Sequence, residues 1–201
     1  YLTKDELAAL LTHLSGDWRL LAQLGYGTGL RLMELLRLRL KDLDFGNGLI
    51  TVFDGKGGKN RQVPLPKSLD AALRLQCDKV RLIHRADMAE GYGTVWMPSA
   101  LVIKYPKASR DAKWQWLFPS KEICKGDKGE LRRHHLFPNG FQLALRNAAK
   151  LAEIEKRVSP HVLRHSHATA LLEMGRSLNE VQQRLGRKDV KTTLIYLHCV
   201  D

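Results

Sequence analysis

Cysteine is scarce in this sequence, and its placement excludes several chemistries. Cys77, Cys124 and Cys199 are three in number and widely separated. With no CxxC and no Cys/His ligand spacing, they predict reduced thiols, a cytoplasmic setting and no zinc or other metal site. No apolar run approaches the roughly 18 residues that a membrane helix needs, and no signal-peptide pattern is present, so no membrane partner is expected. Low-complexity tracts and internal repeats are also missing. Acidic residues are in short supply: 21 Asp+Glu face 33 Lys+Arg, giving a net charge of +12 and a pI near 9.8. A polyanionic partner, nucleic acid, is the commonest physical reason for such an imbalance; plain solubility charge is the bland alternative.

What remains is the composition of a globular protein, 44% apolar and 27% charged over 201 residues, enough to bury a core. Thr3-Lys4-Asp5-Glu6 reads as a capping box, with Leu7, Leu10, Leu11 and Leu14 following at helical spacing. A second helix from about Trp18 runs into Gly25-Tyr26-Gly27-Thr28-Gly29, which predicts a close-packed helix junction. No strand precedes these glycines and the GxGxxG spacing is absent, so they are not a dinucleotide site. A third helix opens at Leu30, with Arg31 in its first turn, either on the open surface or held at a groove.

Leu43–Phe45 and Leu49–Phe53 flank a Gly/Asn turn as a hairpin, and Gln62–Leu65 returns as a third strand. Between them, Asp54–Arg61 forms a glycine-rich basic turn carrying Lys56, Lys59 and Arg61. It suits either a phosphate contact or simple solvation. Residues 67 to about 88 form an amphipathic helix whose apolar face is expected to hold Leu69, Leu73, Leu75, Val80 and Leu82.

Residues 90–135 change character. Glycine and proline interrupt them, Trp96, Tyr105, Trp114 and Trp116 alternate with Lys104, Lys107, Arg110 and Lys113, and Arg132-Arg133-His134-His135 closes the stretch. Aromatics interleaved with cations suit stacking on unpaired bases; a local core of tryptophans is the alternative. A helix follows from Phe141 to about Ala152. Ser159-Pro160 caps and starts another, which carries His161 and Arg164 on one face. A second capping box, Ser177–Glu180, opens the next helix, and Thr192–Leu197 brings Tyr196 towards that face. A tyrosine acts as a covalent nucleophile where cationic donors stabilise the charge on the group it attacks.

Gly27–Leu35, the Gly55-Lys56-Gly57 hairpin, His161-Val162-Leu163-Arg164-His165-Ser166 and Thr192–Tyr196 resemble, in this order, the motifs of the tyrosine site-specific recombinases. The resemblance covers about residues 25 to 198. Pro98-Ser99-Ala100-Leu101, Lys104-Tyr105-Pro106, Trp114-Gln115-Trp116 and Arg132–His135 further resemble the insertion of integron integrases. The resemblance implies an α+β fold: a mostly helical catalytic domain with a small three-stranded antiparallel sheet. That domain would span residues 1–201, with the integron-type insertion at 90–135. The chain opens on Tyr1 directly before a helix signal, so the family's N-terminal core-binding domain is expected to be absent from it.

In that family's chemistry, Tyr196 would attack a backbone phosphate to give a 3′-phosphotyrosyl link and a free 5′-hydroxyl. Arg31 and Arg164 would hold the non-bridging oxygens, Lys56 would protonate the leaving oxygen, His161 would assist at the phenol or the phosphate, and Glu34 would orient Arg31. Lys59, Arg61, Lys104, Trp114, Trp116, Arg132, Arg133, His134 and His135 would bind DNA. The implied partners are DNA, as folded single strands or duplex, and further copies of the chain in a tetramer on DNA, without membrane or cofactor. Gene cassettes would be the cargo and the nucleoid of the cytoplasm the setting. Arg187 departs from the pattern, standing where the family usually has histidine; it donates to a phosphate but cannot be a neutral acceptor. His167, where a large apolar residue is common, reads as packing. The competing readings are a weakened DNA-binding relic and a duplex-specific phage- or Xer-type recombinase.

Overall fold

The computed structural model describes residues 1–53, 60–126 and 129–186. Helix α1 (Lys4–Thr12) begins at the expected capping box, in which Thr3 accepts from the Glu6 amide and Glu6 from the Thr3 amide. Helix α2 (Gly16–Thr28) runs through Gly25 and Gly27, which therefore lie inside a helix and form no junction. Their small size still matters. A Cβ on Gly25 would lie 3.2 Å from Leu35, and one on Gly27 would lie 2.8 Å from Pro66. Gly29 ends α2 in the left-handed region at φ 64°, where a side chain would also collide with His167 at 2.5 Å. Helix α3 (Leu32–Leu36) starts two residues later than expected, so Arg31 is its extended N-cap residue and lies outside the first turn.

Strands β1 (Leu43–Asp44), β2 (Leu49–Val52) and β3 (Arg61–Pro64) form the three-stranded antiparallel sheet, with Leu43 opposite Ile50 and Ile50 opposite Val63. Leu43, Ile50, Val52 and Val63 face the core, as period-two burial requires. Helix α4 (Asp70–Ala89) follows. Its buried positions are Leu73, Gln76, Cys77, Val80, His84 and Asp87, a clean three-four repeat. Leu75 and Leu82 fall outside that stripe and are 70% and 60% exposed, which corrects the expected apolar face.

The insertion contains short helix α5 (Ser99–Lys104), two single 3₁₀ turns and a second hairpin, β4 (Pro119–Lys125) with β5 (Leu131–His135). Nothing in the sequence reading anticipated that hairpin. A small core of Val95, Met97 and Trp116 belongs to the insertion itself. Helices α6 (Pro138–Leu151), α7 (Pro160–Glu173) and α8 (Leu178–Leu185) complete the described chain. The main core joins α1, α2, α3, the three-stranded sheet, α4, α6 and Leu163 of α7. Each fully buried leucine there contributes about 1.5–3 kcal/mol. Among the described residues, no helix is long and apolar enough to cross a membrane.

Candidate active site

Helix α7 owes its start to Ser159, whose hydroxyl accepts from the Val162 amide, and to Pro160 in its first turn. That start points the first turn, with His161 and Arg164 three residues apart, into an open cleft of about 320 Å³. Arg31, Leu32, Gln142, Ser159 and Pro160 line the rest of the cleft. Two arginines and a histidine from distant parts of the chain therefore border one space, as the motifs required.

Arg164 is only 3% exposed. Its Nη1 donates to Gly29 O at 2.6 Å and its Nη2 to Leu185 O at 2.8 Å. Gly29 caps α2 and Leu185 ends α8. Carbonyls at helix C-termini lack helical partners and carry partial negative charge, so one guanidinium satisfies and neutralises both ends. A buried arginine is tolerable only with such pairing.

Arg31 is more open, with 47% of its side chain exposed. Its Nη1 donates to Glu34 Oε1 at 3.0 Å and its backbone amide to Glu34 Oε2 at 2.8 Å, and its Nη2 reaches Gly186 O at 3.3 Å. Burial pushes the Glu34 carboxyl up, but hydrogen bonds from Arg61 and the Arg31 amide, with the charge of both guanidinia, hold it below the usual carboxylate range. Glu34 is thus an ionised carboxylate that holds both the amide and the guanidinium of Arg31.

Arg61 was read as a DNA contact. The structure engages it bidentately with Glu34, at 2.9 and 2.7 Å, and with Arg184 O at 3.2 Å. Lys56, Lys59, Arg187 and Tyr196 lie outside the described residues.

The insertion residues divide by exposure. Lys104 is exposed on α5, near the half-exposed Tyr105 ring. Trp114 is half-buried, whereas Trp116 is buried beneath the Arg39 guanidinium, 3.8 Å from the ring centroid. Arg132 pairs with Glu130 at 2.6 Å. Arg133 grips both oxygens of Asp87 at 2.7 Å and donates to Ser120 O and Lys121 O, pinning the second hairpin to α4. His134 stacks on Phe137 with centroids 5.5 Å apart. His135 is buried edge-on against Trp116, and desolvation pulls its pKa down to about 4.

Arg39 was missed by the sequence reading. It donates to Trp114 O at 2.6 Å and Trp96 O at 2.7 Å while stacking on Trp116. Burial lowers its pKa to about 10, with Asp42 opposing, so it stays charged at neutral pH. The alternation Arg37-Leu38-Arg39-Leu40 was the available signal, because a two-residue period beside α3 marks extended chain, and Arg39 does pair with Trp116 in an isolated β-bridge. Gln142 carried no signal. His167 is buried as expected for a packing residue, and desolvation takes its pKa down to about 4. Among the described residues no three His, Cys, Asp or Glu side chains group to hold a metal.

A cleft bordered by two arginines and a histidine, with its acidic neighbour already paired, is built to receive an anion with the geometry of phosphate. The comparisons with known proteins agree with that chemistry. The chain belongs to the phage integrase family, whose model matches residues 1–201. It is similar to an integrase/recombinase of Escherichia coli, 46% identical over 198 residues, which cover 98% of this chain and 59% of the relative. It is also similar to the tyrosine recombinase XerD of Listeria innocua, 35% identical over 176 residues, covering 86% of this chain and 47% of the relative. Among solved structures it resembles the XerA recombinase, with a TM-score of 0.69 and 29% identity over 98% of this chain and 60% of that one. It likewise resembles the XerH site-specific recombinase in a post-cleavage complex with its palindromic difH substrate, with a TM-score of 0.67 and 27% identity, covering 100% of this chain and 50% of that one. The chain therefore spans between about half and three-fifths of the length of these proteins.

Proposed function

We propose that this chain is the catalytic portion of a tyrosine site-specific recombinase, which cleaves and rejoins DNA strands through Tyr196. The observation that carries the reading is the convergence of Arg31, His161 and Arg164 on one open cleft in a member of the phage integrase family. In this mechanism the Tyr196 oxygen bonds to phosphorus as the bond to the 5′-oxygen breaks. The phosphotyrosine keeps the energy of the broken ester, so rejoining needs no ATP. Arg31 and Arg164 meet the charge growing on the non-bridging oxygens. Lys56 delivers the proton to the leaving oxygen and His161 assists at the phenol or the phosphate. Arg187 donates to the same phosphate in place of a histidine, and a tetramer on DNA brings two sites together. The protein works in the cytoplasm.

Within that class we favour an integron-type enzyme that takes folded single-stranded sites. The support is the insertion at 90–135, whose exposed Trp96, Lys104 and Tyr105 and half-buried Trp114, Arg132 and His134 offer stacking faces and charge. A duplex-specific Xer-type recombinase is the second reading, favoured by the XerD-like relative and by the burial of Trp116 and His135 in the insertion's own core. Competition between a duplex site and a hairpin with extruded bases separates the two. The integron reading predicts tighter binding and faster adduct formation on the hairpin, with a selective loss for Trp114→Ala. Equal or better use of the duplex, with no selective loss, contradicts it. A protein that binds both and forms no adduct on either is the DNA-binding relic.

A further inference from the structure

Three consecutive carbonyls at the end of α8 accept hydrogen bonds from three arginines that arrive from separate parts of the chain. Arg61 Nε donates to Arg184 O at 3.2 Å, Arg164 Nη2 to Leu185 O at 2.8 Å, and Arg31 Nη2 to Gly186 O at 3.3 Å. A helix leaves its last carbonyls unpaired and partly negative, so cations gather there readily. Two of these arginines border the cleft, and Arg61 does not. Its other two nitrogens take both oxygens of Glu34, the carboxylate that in turn holds the Arg31 amide and guanidinium. Exposure grades along this chain: the Arg61 and Glu34 side chains are 15% and 11% exposed, and that of Arg31 is 47% exposed. The base is fixed and the head faces solvent.

We propose that Arg61 is a positioning residue for the cleavage reaction. Acting through Glu34 it fixes the Arg31 guanidinium at the cleft, and through Arg184 O it fixes the end of α8, from which residues 187–201 and Tyr196 follow in sequence. The proposal rests on the recombinase reading above and goes beyond it by giving one side chain outside the cleft a hold on both the Glu34–Arg31 pair and the end of α8. Arginine suits the task because its planar fork takes a carboxylate with two parallel bonds while Nε reaches a third acceptor; a lysine ammonium cannot do both. The neighbouring chain leaves room for it: a Cβ at Gly186, which sits at φ 63°, would lie 2.9 Å from the Arg61 guanidinium. The alternative, a direct DNA phosphate contact by Arg61, uses nitrogens that each already donate to a protein acceptor.

The test uses the full-length protein and nicked suicide substrates carrying either an ordinary scissile phosphate or a methylphosphonate. In the second, a methyl group replaces one non-bridging oxygen and removes its charge. The bond changes are the same in both: the Tyr196 oxygen bonds to phosphorus and the 5′-oxygen leaves as a hydroxyl. An arginine that meets phosphate charge is needed less once that charge is gone. Arg61→Ala and Arg61→Lys are expected to cleave the phosphate about 10–100-fold more slowly than wild type with DNA affinity unchanged, yet to come within about threefold of wild type on the methylphosphonate, as Arg31→Ala should. An equal loss on both substrates overturns the proposal, and so does a loss confined to DNA affinity, which would make Arg61 a phosphate contact. If Arg61→Ala melts below the assay temperature, Arg61→Lys decides, because it keeps the charge and most of the volume. If that variant melts too, Arg61 serves stability and the proposal falls. Wild-type protein that forms no adduct on the phosphate is a distinct result, which sinks the recombinase reading itself.

Discussion

Arg164 holds two helix ends together, and the residues around it are fitted to that task. Gly29 offers it a carbonyl from a backbone turn that side chains seldom adopt, and the His167 ring fills the space a Cβ would need. Burial keeps that imidazole neutral, with a folded pKa of about 4 against an ordinary 6.5; its bond to the Tyr26 backbone opposes the shift but does not cancel it. Since the folded value is depressed, the stability it confers is complete above pH 6.5 and is lost as pH falls towards 4, where the unfolded chain takes up the proton and the native site does not. Chemical denaturation across that window should show a decline of which about 3 kcal/mol belongs to this histidine, and His167→Leu should flatten that part of the curve. An unchanged pH dependence in His167→Leu would refute the assignment.

At this scale the sequence was informative where chemistry restricts residue type. His161 and Arg164 stood out because their three-residue spacing puts them on one helix face, whereas Arg31 was left open between surface and groove until the family resemblance implied a phosphate role for it. Glu34 was expected to orient Arg31 from the family resemblance, and it accepts hydrogen bonds from both the amide and the guanidinium of that residue. Arg61 was legible only as a cation on a basic loop, because its partners lie in α3 and α8, far away in the chain, and no local pattern encodes such a meeting.

Among the elements, the insertion shows how far pattern carries. Its mixture of tryptophan and cations read equally as a base-stacking surface or a small core, and the structure buries only part of it. Trp116 belongs to the core, while Trp96 and Tyr105 are about half exposed. Two arginines join the insertion to the body of the protein. Arg39 bonds the carbonyls of Trp96 and Trp114 and stacks on the Trp116 ring, and Arg133 clamps Asp87 of α4. Removing Arg39 leaves those carbonyls unpaired in a water-poor place, so Arg39→Ala should lower stability by about 2–4 kcal/mol. It should also make residues 90–118 an early site of limited proteolysis. Unchanged cleavage kinetics there would show that Arg39 does not anchor the segment. Helix α4 was legible as a helix and misread in its face: leucines at 75 and 82 looked like core residues, yet the buried stripe runs through Gln76, His84 and Asp87. Gln76 bonds Leu117 O and Asp87 bonds Arg133, partners that only the fold supplies. The second hairpin was hidden for a related reason. Its strands are rich in charge and irregularly paired, so they carry no hydrophobic alternation.

The whole molecule joins a basic surface to a site assembled from both ends of the chain. The net charge of +12 suits a DNA partner, and on the proposed function it would draw the protein to any phosphate backbone with an affinity that falls with salt, while the cleft would set where chemistry happens. The class of fold was legible because four ordered motifs span nearly the entire length, and a family model matches all of it. The choice between folded single strands and duplex was not, because it depends on which insertion side chains remain exposed once the local core has formed. The central claim is that Tyr196 forms the bond to DNA. The direct measurement is to trap the adduct on a suicide substrate, digest it with trypsin and nuclease, and find the nucleotide-bearing peptide by mass spectrometry. Cleavage after Lys191 releases a peptide beginning at Thr192, and the account predicts the phosphonucleotide on that peptide at Tyr196, with none in Tyr196→Phe. A nucleotide found on any other residue, or an adduct that survives in Tyr196→Phe, would contradict it.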